Sequence, residues 1–298
     1  MKKKHPLRHV VAALGWATLA PLAHATEGNG LGLYPDGLEN FMAGALPPPG
    51  VYGMVYAGGA HYDRLRGNDG THIGPPDFKV KVTAVVPRLI WVTPVQVLGG
   101  SLAFEALAPV LKVDVTAGGQ HFSKSGVGDL IFGPALGFHH SPSLHSVLAL
   151  DVYAPTAQYD RNNPASLGKN IWVYQPIAAV TYLQPTGLNA DLKAMVDING
   201  RNGDTQTRSG QALHGDVAVG WGLGNGWVIG GAGHFYRQVT DDSGPNAGTG
   251  KASAVGFGPS IRYADGKGLL VTAKLQKEFA VRNRPEGSAL WVKATIPF

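Results

Sequence analysis

The chain has 298 residues, 44% of them hydrophobic and 15% charged, with 42 glycines, 21 prolines and no cysteine. The absence of cysteine excludes disulfides, thiol nucleophiles and thiolate metal ligands. A formal charge of +5 is too small to define a nucleic-acid partner, and most of it lies in the first segment.

Residues 1–25, MKKKHPLRHVVAALGWATLAPLAHA, carry a basic start (Lys2, Lys3, Lys4, Arg8), an apolar stretch from Val10 to Leu22, and a small-x-small finish at Ala23-His24-Ala25. This is the layout of a secretory signal cleaved after Ala25. Pro21 and the short apolar run argue against a helix of about 20 residues spanning a membrane. The four basic groups of this segment, taken from 25, leave 21 against 20 acidic groups. No later run reaches the roughly 18 apolar residues of a membrane helix.

Residues 26–50 form a Gly/Pro-rich segment without periodicity. PDGLENFMAGALP has room for one short helical turn around Leu38 to Ala43, and Pro47-Pro48-Pro49 is stiff and extended. Leu33, Tyr34, Leu38, Phe41, Met42 and Leu46 favour burial. Two placements are open: an insert narrowing a lumen, which the apolar composition favours, or a periplasmic tail.

From residue 51 to 298 the chain alternates. In LNADLKAMVDI, Leu188, Ala190, Leu192, Ala194, Val196 and Ile198 share one face, while Asn189, Asp191, Lys193, Met195 and Asp197 share the other. Period two over this length is a strand with one apolar and one polar side. About twelve such strands are predicted, at 51–64, 77–94, 97–117, 126–141, 144–160, 170–185, 188–200, 210–223, 226–240, 251–264, 268–282 and 288–298. Their connections alternate in length. SPS, QPTG, GLGNG and ADGKG are tight turns; RLRGNDGTHIGPP, TAGGQHFSKSG, YDRNNPASLGK, NGRNGDTQTRSG and TDDSGPNAGTG are long polar loops.

The final strand, LWVKATIPF, alternates to the last residue, Phe298. Short turns on one rim, long loops on the other and a terminal strand ending in an aromatic predict an all-β, antiparallel up-and-down barrel in the bacterial outer membrane. Its apolar face would meet lipid and lipopolysaccharide, its polar face the lumen. A soluble β-sandwich also alternates, but its polar faces are seldom so charged. Tyr153, Trp172, Tyr182, Trp221, Trp227, Tyr236, Tyr263 and Trp291 are expected in interfacial girdles. Phe298 resembles the signal read by the barrel assembly machinery.

Alternation assigns Lys81, Glu105, Asp129, Asp151, Asp191, Lys193, Asp197, His214, Asp216, Arg262, Lys274, Glu278 and Lys293 to the lumen. Charges of both signs there either brace a wet barrel or select what passes. His139-His140, His214 and His234 lack metal-ligand spacing, and the loops hold no complete calcium pattern. His121 and Ser123 in QHFSKSG are the one pair that a rim lipid hydrolase could use, but no orienting third group is visible. No catalytic residue, metal or cofactor is expected.

YPDGLENFMAGALPPPGVY resembles the opening of the family of outer-membrane proteins grouped as the MetA-pathway of phenol degradation, also called SphA-like. Tyr34, Pro35, Gly37, Glu39, Asn40, Gly44, Pro47, Pro48, Pro49 and Gly50 carry the resemblance. It implies an outer-membrane transporter for aromatic or other hydrophobic compounds, and the chain as a whole reads as a monomeric channel for passive uptake of small hydrophobic or aromatic compounds. A rim lipid hydrolase and a structural or adhesive barrel are the alternatives.

Overall fold

Alternation in the sequence becomes alternation in a closed wall. The computed structural model describes residues 31–245 and 247–297; the expected signal segment and Phe298 lie outside them. The described residues contain no α-helix. They form β1 (Gly50–Leu65), β2 (Lys79–Val97), β3 (Gly100–Leu107), β4 (Val110–Ala117), β5 (Gln120–Val127), β6 (Leu130–His139), β7 (Leu144–Ala154), β8 (Val173–Tyr182), β9 (Thr186–Asn199), β10 (Ala212–Leu223), β11 (Trp227–Gln238), β12 (Ser253–Ala264), β13 (Leu270–Arg282) and β14 (Pro285–Pro297).

All strand pairings around the sheet are antiparallel, and β1 closes it by pairing with both β14 and β2. The fourteen strands fill twelve positions, because two positions are each shared by a pair laid end to end. β2 pairs with β3 along Arg88–Val97 and with β4 along Lys79–Val85. The join falls at Ala108-Pro109, where proline cannot donate to the ladder and Ala108 N–H bonds Pro87 O at 3.2 Å. β5 and β6 are split in the same way at Gly128-Asp129, with Gly128 N–H on Pro109 O at 2.8 Å.

Two expectations are corrected here. TAGGQHFSKSG is a hairpin rather than a loop: β4 and β5 turn at Gly118-Gly119, both at positive φ. Asp77 accepts from both glycine N–H groups, at 2.9 and 2.7 Å, and these bonds hold its carboxyl below the usual carboxylate range. Nor does Leu38 to Ala43 form a helical turn. Met42 has φ +78°, which stops a right-handed helix, and two separate turns result, Leu38 N–H on Pro35 O and Ala45 N–H on Met42 O.

Burial is inverted relative to a soluble protein. On β9, Leu188 and Leu192 are 46% and 44% exposed, while Asp191, Lys193 and Asp197 are buried. Outward apolar and inward polar side chains are stable only with hydrocarbon outside. Trp172, Trp221 and Trp227 face outward as girdle residues should, but Tyr153, Tyr236 and Trp291 are buried inside the barrel. The girdle expectation fails for those three because they alternate with outward apolar residues such as Val292.

Candidate functional site

Residues 31–49 run down the lumen, from the long-loop end, where Lys169 Nζ donates to Leu31 O, to the short-turn end, where Tyr52 OH donates to Pro48 O at 2.9 Å. One side of this segment is fastened by ions. Asp216 accepts from Gly37 N–H and Glu39 N–H, each at 2.8 Å, and from Tyr34 OH. Asp36 pairs with Arg284 at 2.9 Å and His214 at 3.0 Å, and Arg284 reaches on to Glu278. Glu39 pairs with Lys293 at 2.7 Å and Arg88 at 3.0 Å, while Lys274 donates to its carbonyl. Asn40 donates to Ser260 and accepts from Thr272. Removing one partner from such a buried pair leaves an uncompensated charge, at a cost of about 3–5 kcal/mol.

Shape completes the fit. Gly37 has φ +82°, and a Cβ there would lie 2.0 Å from Gln276 Oε1. The wall supplies glycine slots of its own: Gly220 receives Phe41 and Gly137 receives Leu46, and a Cβ at either would come within 3 Å of the inserted side chain. Gly44 N–H bonds Thr181 Oγ1 and Ala43 N–H bonds Asp191 Oδ1. Of the motif residues, Tyr34, Gly37, Glu39, Asn40 and Gly44 thus touch the wall. Pro35 closes a turn, Pro47 to Pro49 lie at the short-turn mouth with Pro48 and Pro49 exposed, and Gly50 opens β1.

Above the segment is a cavity of about 750 Å³, reached between the outer loops and walled on one side by Val80, Val82, Leu107, Leu111 and Ile131. Below it, a void of about 40 Å³ lies between Leu46 and an alanine-rich wall of Ala103, Ala135, Ala149 and Ala179. Glu39, Arg88, Glu105 and Lys193 line both spaces and stand between them.

Twelve of the thirteen residues assigned to the lumen are buried. Lys81 differs: it is exposed and alternates with buried Val80 and partly buried Val82, so it faces outward. That half of β2 carries the β4–β5 hairpin, where the outer face meets water rather than lipid and the usual polarity reverses. Alternation also missed Asp36, Arg88 and Arg284. Asp36 belongs to an aperiodic segment and Arg284 to the two-residue β13–β14 turn. Arg88 was hidden in an apolar run, although its parity with Val86 and Ile90 was readable.

Ser123 Oγ donates to Asp114 at 2.6 Å, and His121 Nδ1 lies 3.2 Å from Thr116 Oγ1. The two side chains have separate partners. His139 and His145 face each other at the short-turn rim, Nδ1 to Nδ1 2.7 Å. Among the described residues no group of three or more candidate ligands is placed to hold a metal.

A twelve-position barrel with apolar outer face, charged inner face and an occupied lumen is an outer-membrane barrel by architecture. The COG4313 outer membrane channel from Pseudomonas putida F1 has the same fold, with TM-score 0.76 at 20% identity over 87% of this chain and 99% of that one. The CymD monoaromatic hydrocarbon channel (TM-score 0.44, 8% identity, 84% of this chain and 89% of that one) and a FadL homologue from Pseudomonas aeruginosa (0.42, 10%, 91% and 96%) are more distant, and only the first similarity bears on architecture. No curated protein sequence matches the chain. The chain belongs to the family described as "Putative MetA-pathway of phenol degradation", which it matches over residues 62–294. That match covers the barrel from the end of β1 into β14, whereas the resemblance visible in the sequence lies upstream, in residues 34–52.

Proposed function

We propose that the protein is a passive, non-catalytic conduit for small hydrophobic or aromatic solutes across the outer membrane. The observation that carries this reading is the cavity: it opens between the outer loops, has one apolar wall, and ends on a fixed luminal segment beside a second apolar void. A water-filled pore would need neither an apolar wall nor a blocked floor. The fold shared with the Pseudomonas putida channel and the family's link to phenol degradation support it.

In this reading residues 31–49 restrict the pore, the buried ions fasten them, and Arg88, Glu105 and Lys193 form the narrow passage between the two spaces. The outward band faces lipid and lipopolysaccharide, and Phe298 is the signal for the assembly machinery. Cells with and without the gene, offered a panel of labelled aromatics at low concentration, test the proposal. Faster entry of uncharged ring compounds, with sugars and amino acids unchanged, is expected. Equal entry of every compound in both strains would refute it.

A further inference from the structure

Three buried lysines, Lys193 on β9, Lys274 on β13 and Lys293 on β14, bring positive charge to Glu39 and are used unequally. Lys293 Nζ donates to the Glu39 carboxylate at 2.7 Å and to the carbonyls of Asn40 and Phe41. Lys274 Nζ donates to Glu39 O. Lys193 Nζ lies over the Tyr34 ring, 4.7 Å from its centroid, and among the described residues it has no hydrogen bond and no ion pair. An ammonium carries three donors. The ring face offsets part of the charge but does not replace an oxygen acceptor.

The acceptors around Lys193 are committed elsewhere. It registers with Asp216 on β10 and Ala179 on β8. Asp216 is occupied by Tyr34 OH and by the N–H groups of Gly37 and Glu39, and Ala179 leaves space. Farther round the wall, Arg88 holds Glu105. Glu105 and Asp151 hydrogen-bond to each other, which two carboxyl groups can do only with a proton between them. Negative charge is thus met within the wall, while one positive charge is not.

Nor is that ammonium sealed in. Lys193 is 8% exposed and lines both the cavity and the void below it. Its Nζ is not among the side-chain atoms that lack both accessible surface and a partner. Its unused donors therefore open onto the space it lines. Half-buried Leu33 and Leu107 line the same cavity and pack in one cluster with Tyr34, so apolar surface and free donors stand side by side.

We infer that Lys193 is a specificity-determining residue: its ammonium takes the oxygen acceptor of a ring compound in the passage, a carboxylate in preference to a neutral head. This deepens the conduit reading and rests on it. The ring lies against the apolar wall, and its removal from water is favourable whatever the head. A carboxylate adds a charge-assisted hydrogen bond. A cationic head of the same shape meets like charge and offers no acceptor. Arg161, on the loop above, also lines the cavity, but it is exposed, and water screens its charge.

The test uses the full protein in nanodiscs of zwitterionic lipid, with empty nanodiscs as the blank. Equilibrium dialysis compares three labelled compounds of one shape: 4-ethylbenzoate, 1-ethyl-4-nitrobenzene and 4-ethylbenzamidine, with negative, neutral and positive heads. The benzoate should bind about tenfold more tightly than the nitro compound, with the amidine weakest. Lys193→Met should bring the benzoate-to-nitro ratio near one, whereas Lys193→Arg, which keeps a charged donor, should hold most of it. Should the first variant fail to fold, Lys193→Gln keeps a donor without the charge and should still cut the ratio. An unaltered ratio in a folded uncharged variant, an equal loss in the arginine variant, or three compounds binding alike in the native protein overturns the inference alone. If none of the three binds above the blank, the conduit reading falls with it.

Discussion

The inner wall has two unlike halves. From β9 to β14 it is built of Asp191, Lys193, Asp216, Lys274, Glu278 and Lys293, most of them tied to the luminal segment or to each other. From β1 to β7 it is largely Val80, Val82, Ala84, Val86, Ala103, Ile131, Ala135 and Val147, with charge confined to Arg88, Glu105, Asp129 and Asp151. Ion pairs need matched geometry and hold one position; apolar contacts are non-directional and tolerate sliding. The segment is therefore fixed at many points on one side, and on the other is held through Glu39, by Arg88 and Tyr56, and through Pro48, by Tyr52, and otherwise only leaned upon. In the proposed conduit a solute would pass along the apolar side, with the segment still in place.

The largest effect should come from removing what the polar half holds. Deleting residues 31–46 should raise single-channel conductance severalfold and admit bulky hydrophobic antibiotics, while the barrel still assembles and keeps heat-modifiable gel mobility. Unchanged conductance in an assembled deletion variant would mean that the outer loops, rather than this segment, set the restriction.

Outside, the halves should not differ at all. Leu148 on β7 and Leu192 on β9 are both exposed to lipid. Leu148→Arg and Leu192→Arg should each cost about 2–4 kcal/mol in membrane folding near mid-depth, measured by urea titration in liposomes. If only one is damaging, the asymmetry extends through the wall and the inner-face comparison is wrong.

A smaller effect isolates the apolar route. Ala149→Leu fills the lower void, at an overpacking cost of about 1–3 kcal/mol. It should slow aromatic uptake and leave ion conductance alone. Loss of both together would place ions and ring compounds on one path.

The smallest effect is at the loop over the cavity. Burial pushes the Asp242 carboxyl up to about 6, although it accepts from Gly210 N–H and Gln238 Nε2. The folded loop thus holds its proton more tightly than an unfolded chain, whose Asp titrates near about 4. Docking of residues 239–252 should be firmest below that pH, weaken as pH rises through about 6, and level off above. Hydrogen exchange at several pH values, corrected for intrinsic rates, checks this. Asp242→Asn should flatten the profile.

Much of this was legible beforehand. Alternation in Leu188 to Ile198 is a direct record of lipid on one side and water on the other, so β9 could be oriented residue by residue. Turn lengths told the two rims apart. Three things were not legible, each for a physical reason. β5 looked like a loop because QHFSKSG is polar on both faces and flanked by glycine. Lys81 was oriented backwards because a strand rising out of lipid exchanges its inside and outside preferences. The partners of the buried charges were invisible because an aperiodic segment gives no register from which Asp36 could be matched to Arg284.

The split at Pro109 and Gly128 marks a depth. β5 ends the order of paired strands, so its far edge exposes backbone groups that only water can satisfy. Hydrocarbon must therefore stop at or below the split. Side chains change at the same level. The outward row Val85–Val110–Val127 is apolar and exposed; the next row up is Thr83–Lys112–Ser125, and the one above it Lys81–Asp114–Ser123. Backbone pairing and side-chain polarity, two independent rulers, place the upper boundary of the bilayer within one row of each other on this face of the barrel.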